Sequence, residues 1–149
     1  MTSFLFSSDP RRHSLGLTLV RVITGIIFMA HGGQKLFSFG IAGVTAGFTQ
    51  MGVPFPGITA PLVAIVEFFG GLALVIGLLT RLAALGLAIN MLGAIFLVHI
   101  AAGFFMPQGY EFALLLFTTC LALVIAGPGR YAIDDMIARR RAVRVTTGR

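Results

Sequence analysis

The sequence predicts an all-α integral membrane protein, a bundle of four transmembrane helices with a short helix in the outer interface. Three observations carry that expectation. Hydrophobic residues make up 57% of the 149 positions and charged ones 11%, too little polar surface to cover a soluble domain of this length. The apolar residues gather in four runs, at 15–37, 58–79, 82–103 and 108–127, and a spanning helix needs about 20 such residues. Lysine and arginine are absent from the connections at 38–57 and 104–109, so charge alternates from one side of the bilayer to the other. The length allows one bundle and no separate soluble domain. Residues 1–14 form a polar N-terminal segment, 15–131 the membrane domain and 132–149 a basic tail.

Each element has its own signal. Arg11 and Arg12 precede an apolar run, as in a signal peptide, but Arg21 interrupts that run and no small-x-small cleavage site follows. The first helix is therefore read as retained. Arg11, Arg12, Arg81, Arg130, Arg139, Arg140, Arg141, Arg144 and Arg149 share one side, which puts both termini in the cytoplasm. The net charge of +6 is then a topology signal and a contact for anionic lipid, not a nucleic-acid footprint. Between the first two runs, Ile41, Val44, Phe48 and Met51 recur at helical spacing. They predict a short helix lying in the outer interface, as packing or as a lid, broken by Val53-Pro54-Phe55-Pro56-Gly57. Runs two and three join in a tight hairpin at Thr80-Arg81. The uninterrupted apolar part of run four, 112–126, is short for a core of about 30 Å, which draws Tyr110 and Glu111 to the hydrocarbon boundary.

The chain also repeats itself. Gly25-Ile26-Ile27-Phe28-Met29-Ala30-His31 matches Gly93-Ala94-Ile95-Phe96-Leu97-Val98-His99 at Gly, Ile, Phe and His. Leu72-Ala73-Leu74-Val75-Ile76 recurs as Leu121-Ala122-Leu123-Val124-Ile125. Such a repeat makes two parallel helical hairpins about a pseudo-twofold axis along the membrane normal.

The polar residues inside these runs are the functional candidates. His31, Gln34 and Lys35 lie late in the first run, Glu67 early in the second, His99 late in the third and Glu111 at the start of the fourth. At 1.5 Å per residue all fall in the outer half of the bilayer. A charge in hydrocarbon costs on the order of 2.5–3.5 kcal/mol, so these groups face protein, water or a ligand. Asn90 and His99 stand on opposite faces of a regular helix, and both reach the bundle centre only if that helix bends. Arg21 is read as a snorkelling or helix-pairing residue and not a ligand contact. Cys120, the single cysteine, excludes a dithiol or an iron–sulfur site within the chain. Gly32-Gly33 is read as loosening the end of helix one so that Lys35 turns inward.

The motifs His31-Gly32-Gly33-Gln34-Lys35-Leu36-Phe37, Glu67-Phe68-Phe69-Gly70-Gly71, Gly77-Leu78-Leu79-Thr80-Arg81, Gly109-Tyr110-Glu111 and Gly127-Pro128-Gly129-Arg130-Tyr131 together resemble the DoxX family. The resemblance runs from Leu15 to Asp134. It implies a small four-helix protein of the bacterial cytoplasmic (inner) membrane. Some relatives are membrane subunits of thiosulfate:quinone oxidoreductase, and others belong to thiol-stress complexes. On that reading the protein is a quinone-linked redox subunit, with quinone bound and no haem or iron–sulfur cluster. His31, Lys35 and Glu67 handle protons and a developing anion, while Gln34, His99, Glu111, Phe28 and Phe68 bind the quinone. No metal site is expected. The alternative is a non-catalytic assembly subunit, a homo-oligomer or a partner of other redox subunits, whose polar cluster only orders the bundle.

Overall fold

In the computed structural model of the chain, residues 9–147 are described, and every regular element among them is helical. Residues 1–8 of the expected N-terminal segment and Arg149 of the tail lie outside the described residues. The order is α1 (Pro10–Gly33), α2 (Gly40–Gln50), α3 (Pro56–Ile76), α4 (Thr80–Ala94), α5 (Glu111–Ala126) and α6 (Ile133–Thr147). A π-helical turn, Gln34–Phe39, prolongs α1, and a second, Ile95–His99, prolongs α4 before a 3-10 turn at Ile100–Ala102.

Three of these helical stretches are long and apolar enough to cross a membrane: Pro10–Ser38, Pro56–Ile76 and Thr80–Ala102. α5 is equally apolar but has 16 residues. α1 starts five residues ahead of the first apolar run because its polar start is well capped. The Asp9 carboxylate accepts from the Arg11 N–H, and Pro10 occupies the first turn, where its missing N–H costs nothing. The helix expected from the spacing of Ile41, Val44, Phe48 and Met51 is α2, packed on α3.

α1 and α3 form the most extensive helix pair, and α4 and α5 the next. Lipid supplies no hydrophobic drive between helices, so close backbone approach over small residues must hold the first pair. A Cβ on Gly25 would lie 2.6 Å from the Gly71 carbonyl oxygen, and one on Gly71 would lie 2.5 Å from the Met29 nitrogen. A Cβ on Gly32 would collide with the Phe68 backbone. Gly32 therefore permits close contact with α3, and the π turn that carries Lys35 begins directly after Gly33. The α4–α5 pair uses ordinary side-chain packing, with Ala84, Leu87, Ala88 and Met91 against Ala113, Leu116, Cys120 and Leu123.

At the arginine-rich end the irregular segment from Gly127 to Ala132 and the start of α6 close over the helix ends. Arg21 is 1% exposed. Its Nη1 donates to the Leu74 carbonyl and, at 3.0 Å, to that of Val75, while Nη2 donates to Tyr131 at 2.8 Å. Leu74 and Val75 are among the last carbonyls of α3, where helical donors run out (Leu74 accepts only a shared, 3.3 Å bond from the Gly77 N–H) and the helix dipole has its negative end. Arg21 is thus a helix-pairing residue, and through Tyr131 it holds the segment after α5 as well. Asp134 answers at the next helix start. Its carboxylate accepts from the Leu79 and Thr80 N–H groups, each at 2.8 Å, and caps α4 from 54 residues away. Leu79 sits in left-handed backbone at φ 49°, which these two bonds help to maintain. Burial alone would raise the Asp134 carboxyl, but the Thr80 and Leu79 N–H groups and the Arg21 charge outweigh it and hold the group below its ordinary value.

Two outcomes are expected. Gly71→Val should cost about 3 kcal/mol or more, because its Cβ meets backbone that no rotamer change can move; thermal unfolding in nanodiscs measures it. Asp134→Asn should cost about 1–2 kcal/mol, because the amide leaves one of the two N–H groups without its acceptor. A carboxyl lowered on folding stabilises above its unfolded value near 3.9 and loses that contribution as pH falls through the folded value. The gap between wild type and Asp134→Asn should therefore stay constant from neutral pH down to about 5 and narrow below about 4. A constant gap throughout would refute this role.

Candidate functional site: a polar trio at the end of an apolar cavity

Away from the arginine-rich end, the helices part around a cavity of about 840 Å³. α1, α3, α4, α5 and the two π turns form its walls, and Phe48, Met51 and Val53 from the end of α2 and the turn after it, with Met106, Pro107 and Gly109 before α5, complete the lining. Its surface is mostly apolar. The polar exceptions are Lys35, Glu67, Asn90, His31, His99 and Thr59.

Glu67 lies mid-way along α3 and is 4% exposed. Both its oxygens are engaged. Oε2 accepts from Lys35 Nζ in a close ion pair, and Oε1 accepts from Asn90 Nδ2 at 3.0 Å. The three residues come from the π turn after α1, from α3 and from α4. A buried carboxylate with one free oxygen would pay the full desolvation cost of that lone pair. The amide of Asn90 removes this penalty, and Lys35 supplies the countercharge. Lys35 retains two further N–H donors, since an ammonium carries three.

The π turn Ile95–His99 explains how Asn90 and His99 both line the cavity. In a regular α-helix nine residues make two and a half turns and would set them back to back. The π turn takes an extra residue per turn and rotates His99 toward Asn90's side. His99 Nδ1 lies 2.9 Å from the Gln108 carbonyl oxygen. A carbonyl only accepts, so Nδ1 carries the hydrogen, and Nε2 is the ring nitrogen left to exchange a proton with a ligand. His31 stands one turn before Lys35 and is exposed at the cavity wall.

Of the residues singled out in the sequence, His31, Lys35, Glu67, His99 and Phe28 meet at this cavity, with Phe28 1% exposed in its wall. Three others stand elsewhere. Gln34 is exposed beside His31 and Ser38 on the outer surface of α1. Phe68 packs edge to face with Phe37 and Phe69, at 5.6 and 5.3 Å between ring centroids, outside the cavity. Glu111 accepts from the Met106 N–H at 2.7 Å and orders the loop before α5. The residue that sequence reasoning left unassigned is Asn90. Its signal was an amide in an otherwise apolar run, but its partner was out of reach of any spacing rule. Among the described residues no three His, Cys, Asp or Glu side chains gather so as to hold a metal ion.

A family model described as DoxX matches residues 16–100. The chain belongs to the DoxX family. The matched stretch holds Lys35, Glu67, Asn90 and both cavity histidines; α5 lies beyond it. Over more than four fifths of its length the chain is similar to several bacterial proteins. It is 34% identical over 123 residues to a Bacillus subtilis protein named "Putative oxidoreductase CatD", a match spanning 83% of this chain and 87% of that one. It is 36% identical over 132 residues to the Escherichia coli "Inner membrane protein YqjF", covering 85% and 95% of the two chains. A Mycobacterium tuberculosis protein, named only as an uncharacterized membrane protein, is 31% identical over 134 residues, with 81% and 80% covered. No solved structure matches.

The trio makes a sharp expectation. Glu67→Ala should cost about 3 kcal/mol, because it strands the Lys35 ammonium against an apolar wall. Lys35→Met combined with Glu67→Met should recover most of that loss. A double variant no more stable than Glu67→Ala would show that the ion pair is not what holds the three helices.

Proposed function

We propose that the protein is a four-span, quinone-linked redox subunit of the bacterial inner membrane, and that the cavity receives the quinone head. One observation carries this reading: a matched Lys35–Glu67–Asn90 trio lies in an otherwise apolar cavity of about 840 Å³. Small-molecule sites have this make-up, apolar walls with a few convergent polar groups. Lys35 donates to a quinone carbonyl oxygen and steadies the negative charge that reduction builds there. Glu67 keeps that ammonium aimed. His99, its tautomer set by Gln108, exchanges a proton through Nε2, and His31 connects the cavity wall to water. A quinone takes up two electrons and two protons to become a quinol. The electrons come from a thiosulfate or thiol donor or from a partner subunit, in line with the DoxX relative named as an oxidoreductase.

The topology supports the placement. α5 with its 16 residues spans about 24 Å, and Tyr110 and Glu111 extend it toward the boundary as a fourth crossing. The arginines gathered at one end favour cytoplasmic termini, and the relative named as an inner membrane protein favours that membrane. The strong α1–α3 and α4–α5 pairing suits two hairpins. Their repeat-related glycines differ, however, for Gly25 touches α3 and Gly93 touches nothing.

The full engagement of both Glu67 oxygens favours a second reading, in which the trio is only a brace and the protein an assembly subunit. Reduction of a quinone by thiosulfate or a dithiol in nanodiscs separates the two. The redox reading expects turnover that falls at least tenfold in Glu67→Gln while helix content by circular dichroism is kept. Turnover unaffected by that substitution would remove it.

A further inference from the structure

We infer that the cavity is loaded sideways from the bilayer, through a cleft between α3 and α4 that Gly93 keeps open, and that its occupant is an amphiphile whose tail lies in this cleft. The occupant class, an isoprenoid-tailed quinone, rests on the reading proposed above; the cleft does not. Near their shared hairpin α3 and α4 are in contact. A Cβ on Gly70 would lie 3.1 Å from the Leu87 side chain, and one on Gly86 would lie 3.8 Å from Val66. Two turns further along the same face of α4, a Cβ on Gly93 would meet no atom within 4 Å. The helices have parted there, and Gly93 lines the cavity.

The gap faces lipid. Leu62 of α3 and Ile89 of α4 both line the cavity, yet they are 56% and 63% exposed in the middle of apolar helices. A residue that is at once cavity wall and bilayer surface marks an opening between the two. A glycine inside a helix costs about 1 kcal/mol relative to alanine. At Gly25 and Gly71 helix contact offsets that cost. At Gly93 no contact does, and the space itself is what the missing side chain provides. Polar groups at Lys35 and Asn90 and an apolar slot leading to lipid together fit a molecule with a hydrogen-bond-accepting head and a hydrocarbon tail. A water-soluble ion would leave the slot without purpose.

The test uses the full chain in nanodiscs containing a phospholipid with a photoactivatable diazirine in its acyl chain. Met91 and Leu116 line the cavity and are 7% and 6% exposed, so annular lipid reaches them only by entering. Peptide mass spectrometry should find both labelled in wild type. Gly93→Phe should reduce that labelling at least fivefold and leave the lipid-facing Leu85, 43% exposed, labelled as before. Excess long-chain quinone should reduce it to the same degree. No label on Met91 and Leu116 in wild type, or full labelling in Gly93→Phe, overturns the cleft whatever the quinone does. Labelling that Gly93→Phe blocks but quinone does not displace upholds the cleft and overturns the quinone as occupant, and with it the reading on which that occupant rests.

Discussion

A carboxylate set among apolar helices must have both oxygens matched, and meeting that demand at Glu67 ties three separate segments together. The ion pair with Lys35 requires the chain after α1 to turn inward, which the π turn beginning at Gln34 achieves. The amide of Asn90 brings α4 to the same point. Buried ion pairs gain little net stability, since desolvation offsets most of their attraction. Their value lies in specificity: other arrangements of these helices would leave Glu67 or Lys35 unmatched in a medium with no water to answer them.

The molecule contains a second buried charge, and it is handled differently. Arg21 is paired chiefly with carbonyls: two at the end of α3 and one, that of Tyr131, on the irregular segment that follows α5. Asp134, in the first turn of α6, caps α4. One end of the bundle is thus closed by a clasp that engages carbonyls at the end of one helix and N–H groups at the start of the next. The other end has α1 and α3 in backbone contact but α3 and α4 spread apart. A bundle fastened at one end and parted at the other encloses a cavity between the two.

This division of labour bears on chemistry. The DoxX membership defines the kind of protein more firmly than its reaction. The reaction must be argued from the side chains at the cavity. There, an ammonium with donors to spare, an imidazole of defined tautomer and apolar walls stand in one space. Each is ordinary alone. Their convergence in a low-dielectric setting is what makes proton and anion chemistry plausible, because electrostatic effects are far stronger there than in water.

Much of this could be read from the chain itself. Hydropathy defines the helical membrane class, because lipid forces backbone groups to satisfy one another within a helix. The spacing of Ile41, Val44, Phe48 and Met51 locates α2, and the isolated polar residues mark where function is to be sought. Spacing could not show that Asn90 and His99 share a side, since a π turn breaks the 3.6-residue rule on which such counting depends. Nor could it place Gln34, Phe68 and Glu111 outside the cavity, or distinguish Gly25, pressed against α3, from Gly93, facing empty space. One-dimensional pattern determines which residues prefer lipid, because that preference belongs to each side chain. Which polar groups meet, and which glycines make contact or leave room, depends on how distant helices cross, and that was decided only by the folded arrangement.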